Sequence, residues 1–562
     1  MPVSKSVKFP YVTTAPDTSE TDYILRHFKK SLTSHPMRLF GALLTVASLC
    51  AIAAHQADMV PHHARGGSMY RSLLKEKQES QLTMGKRLGL PSWAPNSVAY
   101  YKDTVLDHVT GQGSYRQRFF FDTTFCGSKC NDPSTPIICE FTGEWTASAA
   151  PDGAAAELAQ KLGALTCTLE HRFYGCSRPE GGCIPARNQS NMVRFLSVEQ
   201  AIEDAADFIA YFEAFAAGEF SPAAAAAAPK HLPSGFVPAR KWGIVGGSYA
   251  GAYVSWVTVR HGDLLSATWS SSGVVNAIYN FTAFDATVGA ALGGDCSDAL
   301  REVMGAFERA WQDDAKRLQM LQLFHAADGF HTAGDFAWLL ADSAGMAPQY
   351  GSKSKLCTYL NSTARATPSS PSPPNPGYFL RGWAALEAFA QWTNDHYGTT
   401  FGSSCYYSTK CLADPASVKS DTTTWVWQCC SELAYWNVAQ LDDAPSVRSG
   451  WVNASYFESQ CHAAFHAYNA SAFPDTVAFD ARFGGSRPFV GAHRVFATQG
   501  SDDPWQGAGV NQNISDTYLE STAYCQDCSH CRDLSGSMAT DPPPLTNTRQ
   551  QVMAAMEAWM RA

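Results

Sequence analysis

Three kinds of side chain in this sequence could form a proton-transfer chain, and they occur in an informative order. The stretch Lys241 to Arg260 begins with a short apolar run, Trp242–Val245. Gly246, Gly247 and Ser248 follow, and then small residues that suit the start of a helix. The pattern predicts a buried strand that turns sharply into a helix, with Ser248 at the strained apex. So tight a turn needs small neighbours, here Gly246, Ala250 and Gly251. Ala250 stands where the usual Gly-x-Ser-x-Gly pattern has its second glycine. The helix behind it aims unpaired N–H groups at the serine, which favours negative charge developing there. A hydroxyl is a poor nucleophile at neutral pH, so it needs a base and a carboxylate to hold that base. Beyond a late strand pattern, Val490 to Thr498, come Asp502-Asp503-Pro504-Trp505 and then Ser529-His530-Cys531-Arg532-Asp533. Both are loop-type sequences.

These groups need a framework, and the rest of the chain supplies one. Tyr100 to Phe121 is aromatic and alternating, which predicts antiparallel edge strands. Pro136 to Phe141 reads as a buried strand that ends in the loop Thr142-Gly143-Glu144-Trp145. Gly153 to Lys161 is helical, Ala164 to Glu170 is a strand, and Val198 to Phe215 has helical spacing. Alternating strands and helices imply a mostly parallel sheet covered on both faces. From Tyr279 to Asp475 the pattern changes to helices (Asp298–Leu323, Thr332–Asp342, Gly382–Tyr397) without clear strands. Asn547 to Met560 closes the chain as an amphipathic helix. The expected organisation is an N-terminal tail over 1–54, a core in two parts over 90–278 and 476–562, and a helical insertion over 279–475. The alanine- and proline-rich Ala217–Pro229 and the proline- and serine-rich Thr367–Pro376 are expected to be exposed loops.

Composition narrows the class. Charged residues make up 17% of 562, below the usual quarter, and the net charge is −9. With no basic patch interleaved with aromatics, a nucleic-acid partner is excluded. Of 17 cysteines, Cys50 lies in an apolar N-terminal segment, leaving an even 16 (17 − 1). Asn-x-Ser/Thr sequons begin at Asn188, Asn280, Asn361, Asn453, Asn469 and Asn513. Together these indicate an oxidising compartment on the secretory pathway. Leu39 to Ala54 follows Met37-Arg38 and ends in small residues, the layout of a signal peptide. It is either a cleaved signal with Met37 as the true start, or a signal anchor. A membrane partner follows only in the second case.

Several motifs then resemble one family. Gly246-Gly247-Ser248-Tyr249-Ala250-Gly251, Asp503-Pro504-Trp505 and His530-Cys531-x-Asp533 are similar to the family of lysosomal Pro-X carboxypeptidase, dipeptidyl peptidase II and thymus-specific serine protease. Glu170-His171-Arg172-Phe173-Tyr174-Gly175, Leu196-Ser197-x-Glu199-Gln200-Ala201 and Trp425-x-Trp427-Gln428-x-Cys430-x-Glu432 match it as well. The resemblance implies an α/β-hydrolase fold with an inserted, mostly helical cap. It implies Ser248 as nucleophile, His530 as base and Asp503 as orienting carboxylate, with Asp502 the alternative. The oxyanion would be met by the N–H of Tyr249 and one from Gly143 to Trp145, with Gly143 and Glu144 as candidates. The substrates implied are peptides cleaved after proline or alanine near a terminus. Trp425, Trp427 and Trp505 are candidates to line the pocket, and Glu144 to meet a free amino terminus. No cofactor is implied, and a homodimer is compatible.

Arg260-His261-Gly262-Asp263 lacks the Tyr-Pro that often follows the elbow in relatives. Cys525-x-x-Cys528-x-x-Cys531 has zinc-like spacing, but disulfides that pin the histidine loop are the expected reading, with no metal. His171 is expected to be structural. Competing readings are an esterase or lipase on the same fold and a non-catalytic relative used for binding. Carboxypeptidase and dipeptidyl peptidase are both open.

Overall fold

The computed structural model describes residues 95–183, 190–326, 332–361, 379–414, 421–440, 446–465, 474–488 and 493–562. All lie within one compact unit, His63–Ala562. Its frame is one eight-stranded sheet in the order β1-β2-β4-β3-β5-β6-β7-β8. The strands are β1 Tyr100–Asp107, β2 Gln112–Asp122, β3 Ile137–Phe141, β4 Leu165–Leu169, β5 Trp242–Gly247, β6 Ala267–Ser271, β7 Val495–Gly500 and β8 Tyr518–Ala523. β1 pairs antiparallel with β2, and β2 with β4. From β4 to β8 every pairing is parallel.

Alternation along the strands sorts the core into two layers. Ile138, Val245, Trp269 and Phe496 pack with Leu158, Val552 and Met556. These last three belong to α1 (Gly153–Leu162) and the C-terminal helix Pro543–Arg561. Ile137, Cys139, Phe141 and Ile244 face the other way, onto Phe208, Phe212, Tyr253 and Val257. Those side chains come from α2 (Val198–Ala217) and α3 (Tyr249–His261). Buried on both faces, the central strands need no polar side, which is why they read as continuous apolar runs.

Between β6 and β7 the described residues form helices and no named strand. They include Thr282–Leu292, Gly294–Trp311, Asp314–Leu323, Ala333–Gln349, Gly382–Tyr397, α4 (Asp421–Gln428) and Ala454–Ala464. The helix expected over Asp298–Leu323 is two. Asp313 caps the second by accepting from the N–H groups of Ala315 and Lys316, which starts a new helix there. Disulfides Cys296–Cys357, Cys405–Cys411 and Cys430–Cys461 staple this insertion. The expected loop at Ala217–Pro229 contains a short helix, Pro222–Ala227, capped by Ser221 with Pro222 in its first turn. Thr367–Pro376 and the apolar Leu39–Ala54 lie outside the described residues. Among those described, no helix is long and apolar enough to cross a membrane.

Candidate active site

Ser248 sits between β5 and α3 at φ 62°, ψ −130°, a conformation that costs about 1–3 kcal/mol for a residue with a side chain. The turn is closed by packing that only small residues permit. A Cβ on Gly246 would lie 2.3 Å from the Ala250 carbonyl oxygen, and one on Gly251 would lie 2.8 Å from the Ser271 carbonyl oxygen. The Ser248 N–H donates to Ser271 O at 2.9 Å, tying the apex to the end of β6. Since α3 begins at Tyr249, the first N–H groups after the serine have no intrahelical acceptor. Gly143, after β3, comes against this turn. A Cβ there would meet Ala250 N at 2.8 Å and the Tyr249 ring at 2.9 Å.

Asp503 and His530 follow β7 and β8. His530 Nδ1 lies 2.8 Å from Asp503 Oδ2, and both residues are buried. The other Asp503 oxygen accepts the Trp505 N–H at 2.9 Å. The carboxylate is thus held on both sides, and His530 carries its proton on Nδ1. Nε2 makes no hydrogen bond of its own. Burial alone would push the His530 pKa down. The Asp503 carboxylate, with the Cys531 thiol beside the ring, outweighs burial and holds it well above the usual histidine range. No hydrogen bond joins Ser248 Oγ to Nε2 in this structure, as is common in sites without substrate. The histidine loop is nevertheless stitched to the elbow. The Cys531 N–H donates to Ser272 Oγ at 2.9 Å, and Cys531 Sγ would lie 2.9 Å from a Cβ on Gly247.

Asp502 points elsewhere. It pairs with Lys353 at 2.6 Å and accepts the Asp527 N–H at 2.7 Å. Asp533, the last residue of the histidine motif, turns under the sheet to accept from Ser271, Thr498 and Trp269. Cys525 and Cys528 are disulfide-bonded, so the zinc spacing is occupied by a covalent bond, and Cys531 is left as a thiol.

The cap brings an aromatic cavity to this edge. Trp425, Tyr435, Trp436, Phe457 and Trp505 are among its walls. Trp425 lies 5.6 Å from the Tyr249 ring, and Trp505 lies 6.4 Å from His530. Tyr435, which the sequence did not single out, stands between them at 6.2 and 5.8 Å. Trp427 is a correction. It packs on Phe465 at 5.1 Å and is not in the cavity wall, because two positions along a helix turn a side chain to the opposite face. Glu144 is half-buried in the loop after β3. Burial drives the phenols of Tyr174, Tyr249 and Tyr435 well above their usual pKa, and the nearby Glu144 carboxylate adds to each.

His171 is wholly buried, with Nδ1 2.8 Å from the Arg172 carbonyl and Nε2 3.1 Å from the Tyr249 hydroxyl. Burial lowers its pKa to about 4, so it is neutral and held in place. Its neighbours in the motif are also fixed. Glu170 receives Arg118, Ala147 N, Cys176 N and Ser177 Oγ, and Arg172 forks onto Asp204. Of the sequons, Asn280 and Asn513 are exposed, and Asn453 caps a helix through Tyr456 N. Asn188 and Asn469 lie outside the described residues. Asn361 is fully buried, which leaves no room for a glycan in the folded chain and removes it from the candidates.

A mostly parallel sheet with a serine at a strained strand-to-helix turn and a helical cap inserted before the last strands defines an α/β-hydrolase. The family described as serine carboxypeptidase S28 matches residues 105–226 and 234–552, and the chain belongs to that family of serine peptidases. It is similar to a probable serine protease of Arabidopsis thaliana (26% identical over 504 residues, 85% of this chain and 94% of the relative). It is similar to the human thymus-specific serine protease (24% over 522 residues, 88% and 93%). It is also similar to the lysosomal Pro-X carboxypeptidase of Bos taurus (21% over 420 residues, 72% and 76%).

Proposed function

We propose that the protein is a serine exopeptidase that cleaves after proline or alanine near a peptide terminus. Ser248 Oγ attacks the scissile carbonyl while His530 Nε2 takes its proton. Asp503 keeps the ring oriented and stabilises the imidazolium. The oxyanion is met by the Tyr249 N–H and by an N–H of the Gly143–Trp145 loop, each worth about 3 kcal/mol of barrier. His530 then protonates the leaving amine, and water releases the acyl-enzyme. Seven disulfides among the described residues support an oxidising, secretory-pathway compartment.

The observation that supports the specificity is the aromatic cavity of the cap, whose walls Trp425 and Trp505 neighbour Tyr249 and His530. Its walls at Trp425, Tyr435 and Trp505 suit a compact, apolar pyrrolidine ring better than a charged side chain. The relative named as a Pro-X carboxypeptidase supports the same substrate class. The test uses two peptides, one with X-Pro at a free N-terminus and one with Pro-X at a free C-terminus, read by mass. Cleavage of one and not the other fixes the exopeptidase type. Turnover of short esters with neither peptide cleaved overturns the proposal.

A further inference from the structure

Tyr249 is the residue whose N–H the mechanism uses, and its side chain is tied to the cap by a directional chain of hydrogen bonds. The chain starts at His171. Nδ1 faces the Arg172 carbonyl, which can only accept, so Nδ1 carries the proton and Nε2 is an acceptor. The Tyr249 hydroxyl must then donate to Nε2, at 3.1 Å. With its hydrogen committed, the Tyr249 oxygen accepts from Gln428 Nε2 at 2.7 Å. Gln428 Oε1 in turn accepts from the Tyr174 hydroxyl at 2.5 Å. His171, Tyr174, Tyr249 and Gln428 are each at most 1% exposed. Water therefore cannot replace a missing partner cheaply, and each broken link leaves a buried polar group unpaired.

Gln428 is the last residue of α4, the cap helix that also carries Trp425. At the other end of α4, Asp421 accepts from Thr146, Gly175 N and Arg178. The helix is thereby anchored on the β3 loop at one end and on the elbow at the other.

We propose that Gln428 is a positioning residue, through which the cap sets the direction of the Tyr249 N–H at the oxyanion. The proposal rests on the peptidase reading above. Only a side chain that donates to Tyr249 and accepts from Tyr174 completes the chain. Ionised glutamate cannot do both, because it only accepts. It would draw the Tyr249 hydrogen away from His171. Protonated glutamate can do both, because its O–H replaces the amide donor. Burial among phenols, with Glu144 and Glu432 both bearing on Tyr249 and Asp421 on Tyr174, would raise the pKa of such a glutamate into a measurable range.

The test compares wild type, Gln428→Glu and Gln428→Ala between about pH 5 and 8, with kcat and KM measured separately and melting temperature as the check on folding. For Gln428→Glu, kcat relative to wild type should fall about tenfold at the alkaline end and recover as pH falls, with KM little changed. For Gln428→Ala the deficit should be similar and independent of pH. A folded Gln428→Glu whose kcat tracks wild type at every pH overturns this inference alone. A wild-type protein that a fluorophosphonate fails to label at Ser248 overturns the peptidase reading, and this inference with it.

Discussion

Two adjacent aspartates show how little in a sequence separates the partner of a histidine from the partner of a lysine. Asp503 faces His530 and Asp502 faces Lys353, because successive side chains at the end of β7 leave the backbone on opposite sides. Asp503→Asn should lower kcat roughly 10⁴-fold. It should also shift the activity profile. His530 works as a base only when unprotonated, so activity rises with pH through its pKa, and that pKa is held up chiefly by Asp503. Removing the carboxylate should therefore move the rising limb to lower pH. Asp502→Asn should leave kcat and the limb near wild type, which pH–rate profiles of the two variants will decide. The proline and tryptophan after Asp503 were the sequence signal to prefer it. Gln428 was equally visible within Trp-x-Trp-Gln, but its role was not. A buried amide bridging two tyrosines depends on contacts from β4, α3 and α4 at once, and no local pattern encodes that.

At the scale of elements, the elbow was the most legible part. The glycines at Gly246 and Gly251 each have a steric cause, the close approach of the Ala250 carbonyl oxygen to the first and of the Ser271 carbonyl oxygen to the second. Gly246→Ala would push a methyl carbon to 2.3 Å from Ala250 O, so α3 must shift. The expected cost is about 3 kcal/mol or more, read as a lower denaturation midpoint together with lost fluorophosphonate labelling. The apolar strands β3, β4 and β5 were also readable from their runs. β6 (Ala-Thr-Trp-Ser-Ser) and β8 (Tyr-Leu-Glu-Ser-Thr-Ala) were not. Their serines are satisfied by partners far away in sequence, Gly251 for Ser270, Asp533 for Ser271 and Thr548 for Ser521, so local hydrophobicity understates them.

Across the whole molecule, cap and sheet meet through buried polar groups as well as rings, and this carries a pH dependence. Glu432, in the π-turn Cys429–Leu433 after α4, accepts the Val198 N–H at the start of α2 at 2.9 Å. Burial pushes its carboxyl from 4.5 up to about 7. The native state thus holds that proton more tightly than the unfolded chain does. This contribution to stability is complete below 4.5 and is lost as pH rises through about 7. Glu432→Gln keeps an acceptor for Val198 and removes the titration. Its melting temperature should gain on wild type as pH is raised across that window, and a constant difference would refute the assignment. The helical character of the stretch between β6 and β7 was legible from the loss of strand pattern, whereas its grip on the elbow was not.

The order of the strands has one more consequence. β7 and β8 lead into Asp503 and His530, and β7 docks beside β6, with β8 beside β7, only after everything from 272 to 494 has been made. A ribosome-bound chain can form the serine turn early, yet it carries no base until its final stretch emerges. On the proposed triad, hydrolytic competence waits for His530, so the part of the chain made before it is not exposed to that chemistry during synthesis.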